Sequence, residues 1–207
     1  MSTIKLYHHP LSGHAHRAEL FLSILGLDYE LIEVDLMTGA QKSSEFLKKN
    51  IFGQVPVIED GNITLADSNA ILVYLASQYD INHTWLPLEP AKAAEVQRFL
   101  SVASGPVANG PATARLINLF GAKLDHLKAI ETANNVLEIL DTHLASQDWL
   151  VGDTPTIADI ANYAYIAHAP EGGISLKTYP NIKLWLQRIE HYPGFVPMVS
   201  SKVGLVE

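Results

Sequence analysis

The chain has 207 residues, of which 48% are hydrophobic and 17% are charged, a balance typical of a globular protein with a buried core. It carries 22 acidic against 14 basic residues, and the net charge of −8 without any Lys/Arg run argues against binding to nucleic acid or to an anionic membrane surface. The chain contains no cysteine, which excludes disulfides, thiolate zinc sites and a cysteine nucleophile.

Strands and helices alternate through the first 80 residues. Period-two patterns predict strands and period-3.6 patterns predict helices, and Asp60-Gly61 is a hairpin turn signal between two of the strands. The predicted strands are 4–7, 29–34, 55–59 and 63–66, and the predicted helices are 15–25, 43–49 and 70–79. The order βαβαββα predicts a small α/β domain over residues 1–80.

The rest of the chain is predicted to be helical. Residues 81–90 break the periodicity with Pro87 and Pro90 and indicate a linker. The predicted helices are 91–119, 123–144, 156–168 and 182–192. Kinks are expected in the first of these at Pro106 and Pro111, because proline has no N–H group to donate. Residues 91–207 are therefore predicted to form an all-α domain.

The first residues lack the apolar core of a signal peptide. No apolar run approaches the roughly 18 residues that a membrane span requires. We therefore expect a cytoplasmic protein without a membrane partner.

The loop after the first strand is the first candidate for chemistry. In open α/β sheets, ligands bind beyond the carboxyl ends of strands, where helix N-termini present unpaired N–H groups. Ser12 lies in this loop with a hydroxyl that can donate a hydrogen bond, and capping the following helix is its alternative role. His14 and His16 stand two positions apart without a carboxylate motif, so no metal site is predicted.

Two further segments are candidates. Pro56 opens a predicted strand, where it removes one ladder donor and where its peptide bond can be cis. Asp67 and Ser68 precede the third helix, where they either cap the helix or help its free N–H groups to bind an anion.

Several motifs together resemble the cytosolic glutathione transferases, in particular the serine-type classes of plants and bacteria. Residues 50–56, 59–61 and 67–71 resemble the N-terminal domain of that family. Residues 156–159, a Thr-x-x-Asp capping box, and 167–173 resemble its C-terminal domain. The resemblance covers the whole chain and implies a thioredoxin-like domain that binds glutathione, followed by a helical domain that shapes a pocket for electrophiles.

Site residues follow from the same resemblance, position by position. Ser12 matches the catalytic serine. Asp67 and Ser68 match the pair that holds the γ-glutamyl group, although the family more often has Glu than Asp at the first position. The other glutathione-binding matches are Gln41 and Lys42 at the glycine end, and Gln54, Val55 and Pro56 around the cysteinyl amide. The predicted electrophile pocket contains His14, Asn109, Arg115 and Tyr163, with Phe120 beside them.

The implied chemistry is activation of the glutathione thiol. Lowering a thiol pKa from about 8.5 by two units requires about 2.7 kcal/mol of differential stabilisation. A hydrogen bond from the Ser12 hydroxyl to a charged sulfur is worth about 1.5–3 kcal/mol, and a helix N-terminus adds about 0.3–1 kcal/mol. Tyr7 is the alternative donor.

The resemblance implies an enzyme that conjugates glutathione to small electrophiles, hence detoxification. Glutathione-dependent peroxidase or haloacid chemistry and a non-catalytic glutathione-binding or ligand-binding protein stay open as alternatives. The family is typically dimeric, and the expected homodimer interface lies on helices 68–79 and 91–105.

Overall fold

The computed structural model describes residues 3–205, which divide into two compact units. Unit 1 comprises the chain up to Asn82 together with the segment Tyr192–Val199. Unit 2 comprises His83–His191 and the residues from Ser200 onward. The sequence did not predict that a late segment belongs to unit 1.

Unit 1 is built on a four-stranded mixed sheet in the order β2-β1-β3-β4. Its strands are β1 (Ile4–His8), β2 (Tyr29–Glu33), β3 (Val57–Asp60) and β4 (Ile63–Ala66). Its helices are α1 (Gly13–Ile24), α2 (Ser44–Leu47) and α3 (Ser68–Tyr79). Strand β1 is parallel to β2 and antiparallel to β3, and β3 is antiparallel to β4. The thioredoxin-like βαβαββα arrangement is therefore confirmed.

The alternation of side chains along the strands gives unit 1 an apolar layer on each face of its sheet. Leu6 and Ile58 are fully buried, and so are Phe21 of α1 and Leu72 of α3. Helices α1 and α3 contact each other. The other face carries the cluster Val34, Phe46 and Val57, with Tyr7 packed against it.

Capping residues explain where the structure departs from the predicted bounds. Helix α1 begins at Gly13 because the Ser12 side chain caps it, and α3 begins at Ser68 because the Asp67 side chain caps it. Strand β3 begins at Val57, since Pro56 has no N–H group for the ladder. The Val55–Pro56 peptide bond is cis.

Unit 2 is helical. Its α-helices are α4 (Pro90–Val102), α5 (Thr113–Phe120), α6 (His126–Leu144), α7 (Ile157–Ala167) and α8 (Pro180–Glu190), and Ala169–Gly172 form a 3₁₀ turn. The interruption expected at Pro106 and Pro111 falls in a π-helical segment, Ala103–Ala112, between α4 and α5. A Cβ atom on Gly110 of this segment would lie 2.7 Å from the backbone nitrogen of Ala133, so only glycine permits this approach to α6.

The predicted capping box at the start of α7 is present. Thr156 and Asp159 exchange side-chain and backbone hydrogen bonds, and the buried Asp159 carboxylate also accepts from Leu150 N and from Trp185 Nε1, both at 2.9 Å. The box thereby ties α7 to α8 and to the chain before it. Among residues 3–205, no helix is long and apolar enough to cross a membrane.

Candidate active site

Three loops of unit 1 meet at one edge of the sheet. The register pairs Tyr7 with Val57 and Val57 with Ala66. The loop after β1, the Val55-Pro56 turn before β3 and the turn after β4 therefore lie side by side. Strand β2 runs parallel to β1 and ends at the same edge, which brings the segment after it to this edge as well. The fold thus gathers the predicted glutathione-binding segments.

Ser12 lies at the start of α1. Its Oγ accepts a hydrogen bond from Ala15 N at 3.2 Å, which is the capping role weighed from the sequence. A hydroxyl that accepts one hydrogen bond still carries its own hydrogen as a donor. The capping role and the predicted role as a thiolate donor are therefore compatible.

The Tyr7 hydroxyl is engaged on the β3 side. It donates to Glu59 Oε2 at 3.0 Å, and Lys49 forms an ion pair with Glu59 while its Nζ lies 4.7 Å from the centre of the Tyr7 ring. The hydrogen bonds to Lys49 and Tyr7 outweigh the burial of Glu59 and lower the pKa of its carboxyl. The hydroxyl hydrogen of Tyr7 is therefore engaged by a carboxylate of the protein itself.

Asp67 is the N-cap of α3 and has a strained backbone. Its φ of +74° lies in a region that residues other than glycine rarely adopt. Its Oδ1 accepts from Asn69 N at 3.0 Å and from Ala70 N at 2.9 Å. Asp67 is exposed, which leaves its carboxylate accessible to a ligand.

Ser68 is nearly buried, with 5% of its surface exposed, and lies among side chains of α1. Its Oγ accepts from Arg17 Nη1 at 2.8 Å and lies 3.3 Å from His14 Nδ1. Burial, and then the charge of Arg17, lower the pKa of His14 to about 3. His14 is therefore neutral at pH 7 and lies beside a predicted glutathione residue, although the sequence assigned it to the electrophile pocket.

Gln41 and Lys42 form part of a 3₁₀ turn, Ala40–Lys42, and lie against Gly53. Lys42 Nζ donates to Phe52 O at 2.9 Å. The Gln41 Oε1 atom is buried and accepts no hydrogen bond within residues 3–205, so it can accept one from a ligand. Gly53 has φ +58°, and a Cβ there would lie 2.7 Å from Gln41 O and 2.9 Å from Lys42 Nζ.

Asn50 shapes the loop that leads to Val55. Its Nδ2 donates to Gln54 O at 2.8 Å, and its Oδ1 accepts from Phe52 N at 3.0 Å. A cavity of about 560 Å³ opens beside this loop, lined by Lys49, Asn50, Ile51, Phe52, Gln54, Ala66 and Asp67. Two predicted glutathione-binding residues, Gln54 and Asp67, thus line one cavity of unit 1.

The residues predicted for the electrophile pocket in the second domain differ in their exposure to solvent. Asn109 is exposed on the π-helical segment, and Phe120 is exposed at the end of α5. Arg115 is 3% exposed and its Nε donates to Glu171 Oε2 at 2.7 Å, while Tyr163 is 4% exposed and its hydroxyl donates to Glu190 at 3.1 Å. This burial argues against ligand contacts by Arg115 and Tyr163.

The N-terminal histidines have protein partners. His16 Nε2 hydrogen-bonds Val196 O at 2.8 Å, which attaches the late segment of unit 1 to α1, and His9 Nδ1 accepts from Leu11 N at 3.3 Å. Within residues 3–205, no group of three or more His, Asp or Glu side chains has an arrangement that could hold a metal ion.

Known proteins with the same sequence features and fold are glutathione transferases. The family model "Glutathione S-transferase, N-terminal domain" matches residues 2–77, and "Glutathione S-transferase, C-terminal domain" matches residues 81–193. Glutathione S-transferase 3 of Zea mays is 36% identical, over 97% of this chain and 95% of its own length.

Solved structures of glutathione transferases are similar to this chain in both sequence and fold. The crystal structure of a glutathione S-transferase from Pseudomonas fluorescens is 35% identical, covers 96% of this chain and all of its own, and superposes with a TM-score of 0.90. A glutathione transferase homologue of Drosophila mojavensis, solved with bound glutathione, is 30% identical with a TM-score of 0.85 over 93% of this chain and 90% of its own. The chain belongs to the glutathione S-transferase family of enzymes.

Proposed function

We propose that this enzyme binds glutathione at the sheet edge of unit 1 and transfers its thiolate to small hydrophobic electrophiles. The observation that carries the proposal is the convergence of the Ser12 loop, the Val55-Pro56 turn and the start of α3 at Ser68, which follows from the register of β1, β3 and β4. The related Drosophila mojavensis structure holds bound glutathione, which supports the same ligand here.

Each part of the tripeptide meets a complementary group in this assignment. The glycine carboxylate binds Lys42, and Gln41 Oε1 accepts a hydrogen bond from an amide N–H of the ligand. The backbone of Val55, beside Gln54 and Pro56, pairs with the cysteinyl amide. The γ-glutamyl amine binds the exposed carboxylate of Asp67, and the γ-glutamyl carboxylate accepts from Ser68.

The Ser12 hydroxyl stabilises the thiolate by donating its hydrogen to the sulfur. This hydrogen bond stabilises the thiolate by about 1.5–3 kcal/mol, and the N-terminus of α1 adds about 0.3–1 kcal/mol. Together they are sufficient for a two-unit reduction of the thiol pKa, which requires about 2.7 kcal/mol. The protein therefore supplies no base and no cysteine of its own, and the proton of the thiol is released to solvent water. The thiolate sulfur attacks the electrophilic carbon, and the leaving group departs with the bonding electrons.

For the electrophile pocket we retain Asn109 and Phe120, whose side chains are exposed. We also propose a homodimer that uses α3 and α4, and a cytoplasmic location, both supported by the family to which the chain belongs. Light scattering at micromolar concentration should give twice the mass of one chain, and the mass of a single chain would exclude the dimer.

The test combines binding with turnover. Calorimetry with glutathione and a chlorodinitrobenzene conjugation assay should both be positive. Saturable binding without turnover of several electrophiles would indicate a binding protein, and turnover of organic hydroperoxides alone would indicate a peroxidase. Absence of glutathione binding would overturn the proposal.

A further inference from the structure

Arg17 is the most deeply buried cation near the candidate site, with 1% of its surface exposed. It belongs to α1, but its Nη1 donates to Ser68 Oγ and to Asn69 Oδ1, both at 2.8 Å, in the first turn of α3. One guanidinium nitrogen therefore contacts two consecutive side chains at the helix end where Ser68 is proposed to meet the ligand.

The donor chemistry fixes the direction of these hydrogen bonds. A guanidinium only donates, so Ser68 Oγ must accept from Arg17. One lone pair of the hydroxyl is thereby occupied, and its hydrogen remains available for another partner. Without a ligand, His14 Nδ1, 3.3 Å from the same oxygen, can accept that hydrogen because the ring is neutral at pH 7, and a bound carboxylate replaces His14 as the acceptor.

A carboxylate ligand needs this hydrogen. An ionised carboxylate accepts and never donates, so a serine can bind it only through its hydroxyl hydrogen. Without the hydrogen bond from Arg17, the Ser68 side chain loses a contact that fixes its rotamer, and its hydroxyl can rotate away from the ligand. The charge of Arg17 also favours an anion at this end of α3, in the same sense as the helix dipole.

We propose that Arg17 is a positioning residue, which orients Ser68 so that its hydroxyl hydrogen is presented to the α-carboxylate of the γ-glutamyl group. The inference rests on the proposed glutathione site and adds a residue that does not itself touch the ligand. A purely structural link between α1 and α3 does not need a charge here, because burying a guanidinium is costly and apolar side chains already pack these helices together.

The test uses two ligands that differ only in the carboxylate. Glutathione is compared with the analogue in which γ-aminobutyryl replaces γ-glutamyl, so that the amine is kept and the α-carboxylate is lost. Calorimetric dissociation constants are measured for the wild type, Arg17→Met and Arg17→Lys. We expect Arg17→Met to bind glutathione about tenfold to a hundredfold more weakly and the analogue almost unchanged.

Arg17→Lys keeps the charge but lacks the planar guanidinium, so its affinity for glutathione should lie between the affinities of the wild type and of Arg17→Met. It also provides the comparison if Arg17→Met does not fold. In a Ser68→Ala background, the Arg17 substitution should cause little further loss of glutathione affinity, since the residue through which it acts is gone.

Three outcomes separate the possibilities. Equal losses for the two ligands, or full additivity with Ser68→Ala, would mean that Arg17 is merely structural and would overturn the inference. Wild-type protein that binds neither ligand would overturn the proposed glutathione site itself. Selective loss of glutathione affinity, absent in the Ser68→Ala background, would support the positioning role.

Discussion

Replacing Gly53 by alanine should disturb the candidate site through two separable effects. Gly53 has φ +58°, a left-handed conformation that costs an L-residue about 1–2 kcal/mol. In addition, the new Cβ would lie 2.7 Å from Gln41 O and 2.9 Å from Lys42 Nζ. Overpacking of this kind costs about 1–3 kcal/mol, so the expected loss of unfolding free energy is about 2–5 kcal/mol.

Gly61 provides a matched control in the same unit. It also has φ +58°, but nothing lies within 4 Å of the position that its Cβ would occupy. Gly61→Ala should therefore lose only the conformational part, about 1–2 kcal/mol. The difference between the two variants measures the close approach of Gly53 to Gln41 and Lys42.

Urea denaturation gives the two free energies, and calorimetry gives the glutathione affinity of each variant. Gly53→Ala should weaken glutathione binding because Lys42 must move, whereas Gly61→Ala should bind like the wild type. Equal destabilisation by both substitutions, with unchanged affinity in both, would mean that the close approach of Gly53 to Gln41 and Lys42 has no effect on stability or binding.

Three further predictions follow from individual contacts. The pKa of His14 is about 3 in the folded state, against 6.5 unperturbed, so between these values the unfolded state binds one proton more than the folded state. The free energy of unfolding should therefore decrease as the pH is lowered through this range, by up to about 1.4 kcal/mol per pH unit. Urea denaturation across this range should show a smaller decrease for His14→Gln. Tyr7→Phe removes the hydrogen bond to Glu59 and should cost about 1 kcal/mol without lowering turnover, and a large loss of turnover would instead make Tyr7 the thiol donor. Glu171→Gln leaves the buried Arg115 without its carboxylate and should cost about 3–5 kcal/mol in urea denaturation, whereas a loss below about 1 kcal/mol would contradict the importance of this ion pair.

Local patterns were enough to predict the element order of unit 1 and the capping box at Thr156. These features depend on residues only a few positions apart, because helix caps and the periodicity of apolar residues are local properties of the sequence. The position of the interruption between helices α4 and α5 was predictable from Pro106 and Pro111. Its π-helical form was not, and neither was the close packing of Gly110 against Ala133, which lies 23 positions further along the chain.

Long-range polar contacts could not be predicted. Arg17 and Ser68 are 51 positions apart, and His16 and Val196 are 180 apart, so no local pattern links them. One signal was present, since Arg17 shares a helix face with Leu20 and Phe21 and therefore points toward the core. The burial of Arg115 was missed for a similar reason, because its partner Glu171 lies 56 positions away.

The most direct test of the central claim is the pKa of the glutathione thiol when it is bound to the enzyme, followed by the ultraviolet absorbance of the thiolate. Ser12→Ala is compared with Ser43→Ala, because Ser43 caps α2 with the same 3.2 Å contact, to Phe46 N, that Ser12 makes to Ala15 N. The loss of a cap is thus common to both variants.

If Ser12 donates to the sulfur, Ser12→Ala removes a group that favours the charged form, and the thiol pKa should rise by about one to two units. Ser43→Ala should leave the titration curve of the wild type unchanged. Coincident curves for the wild type and Ser12→Ala would contradict the account and assign thiol activation to another group.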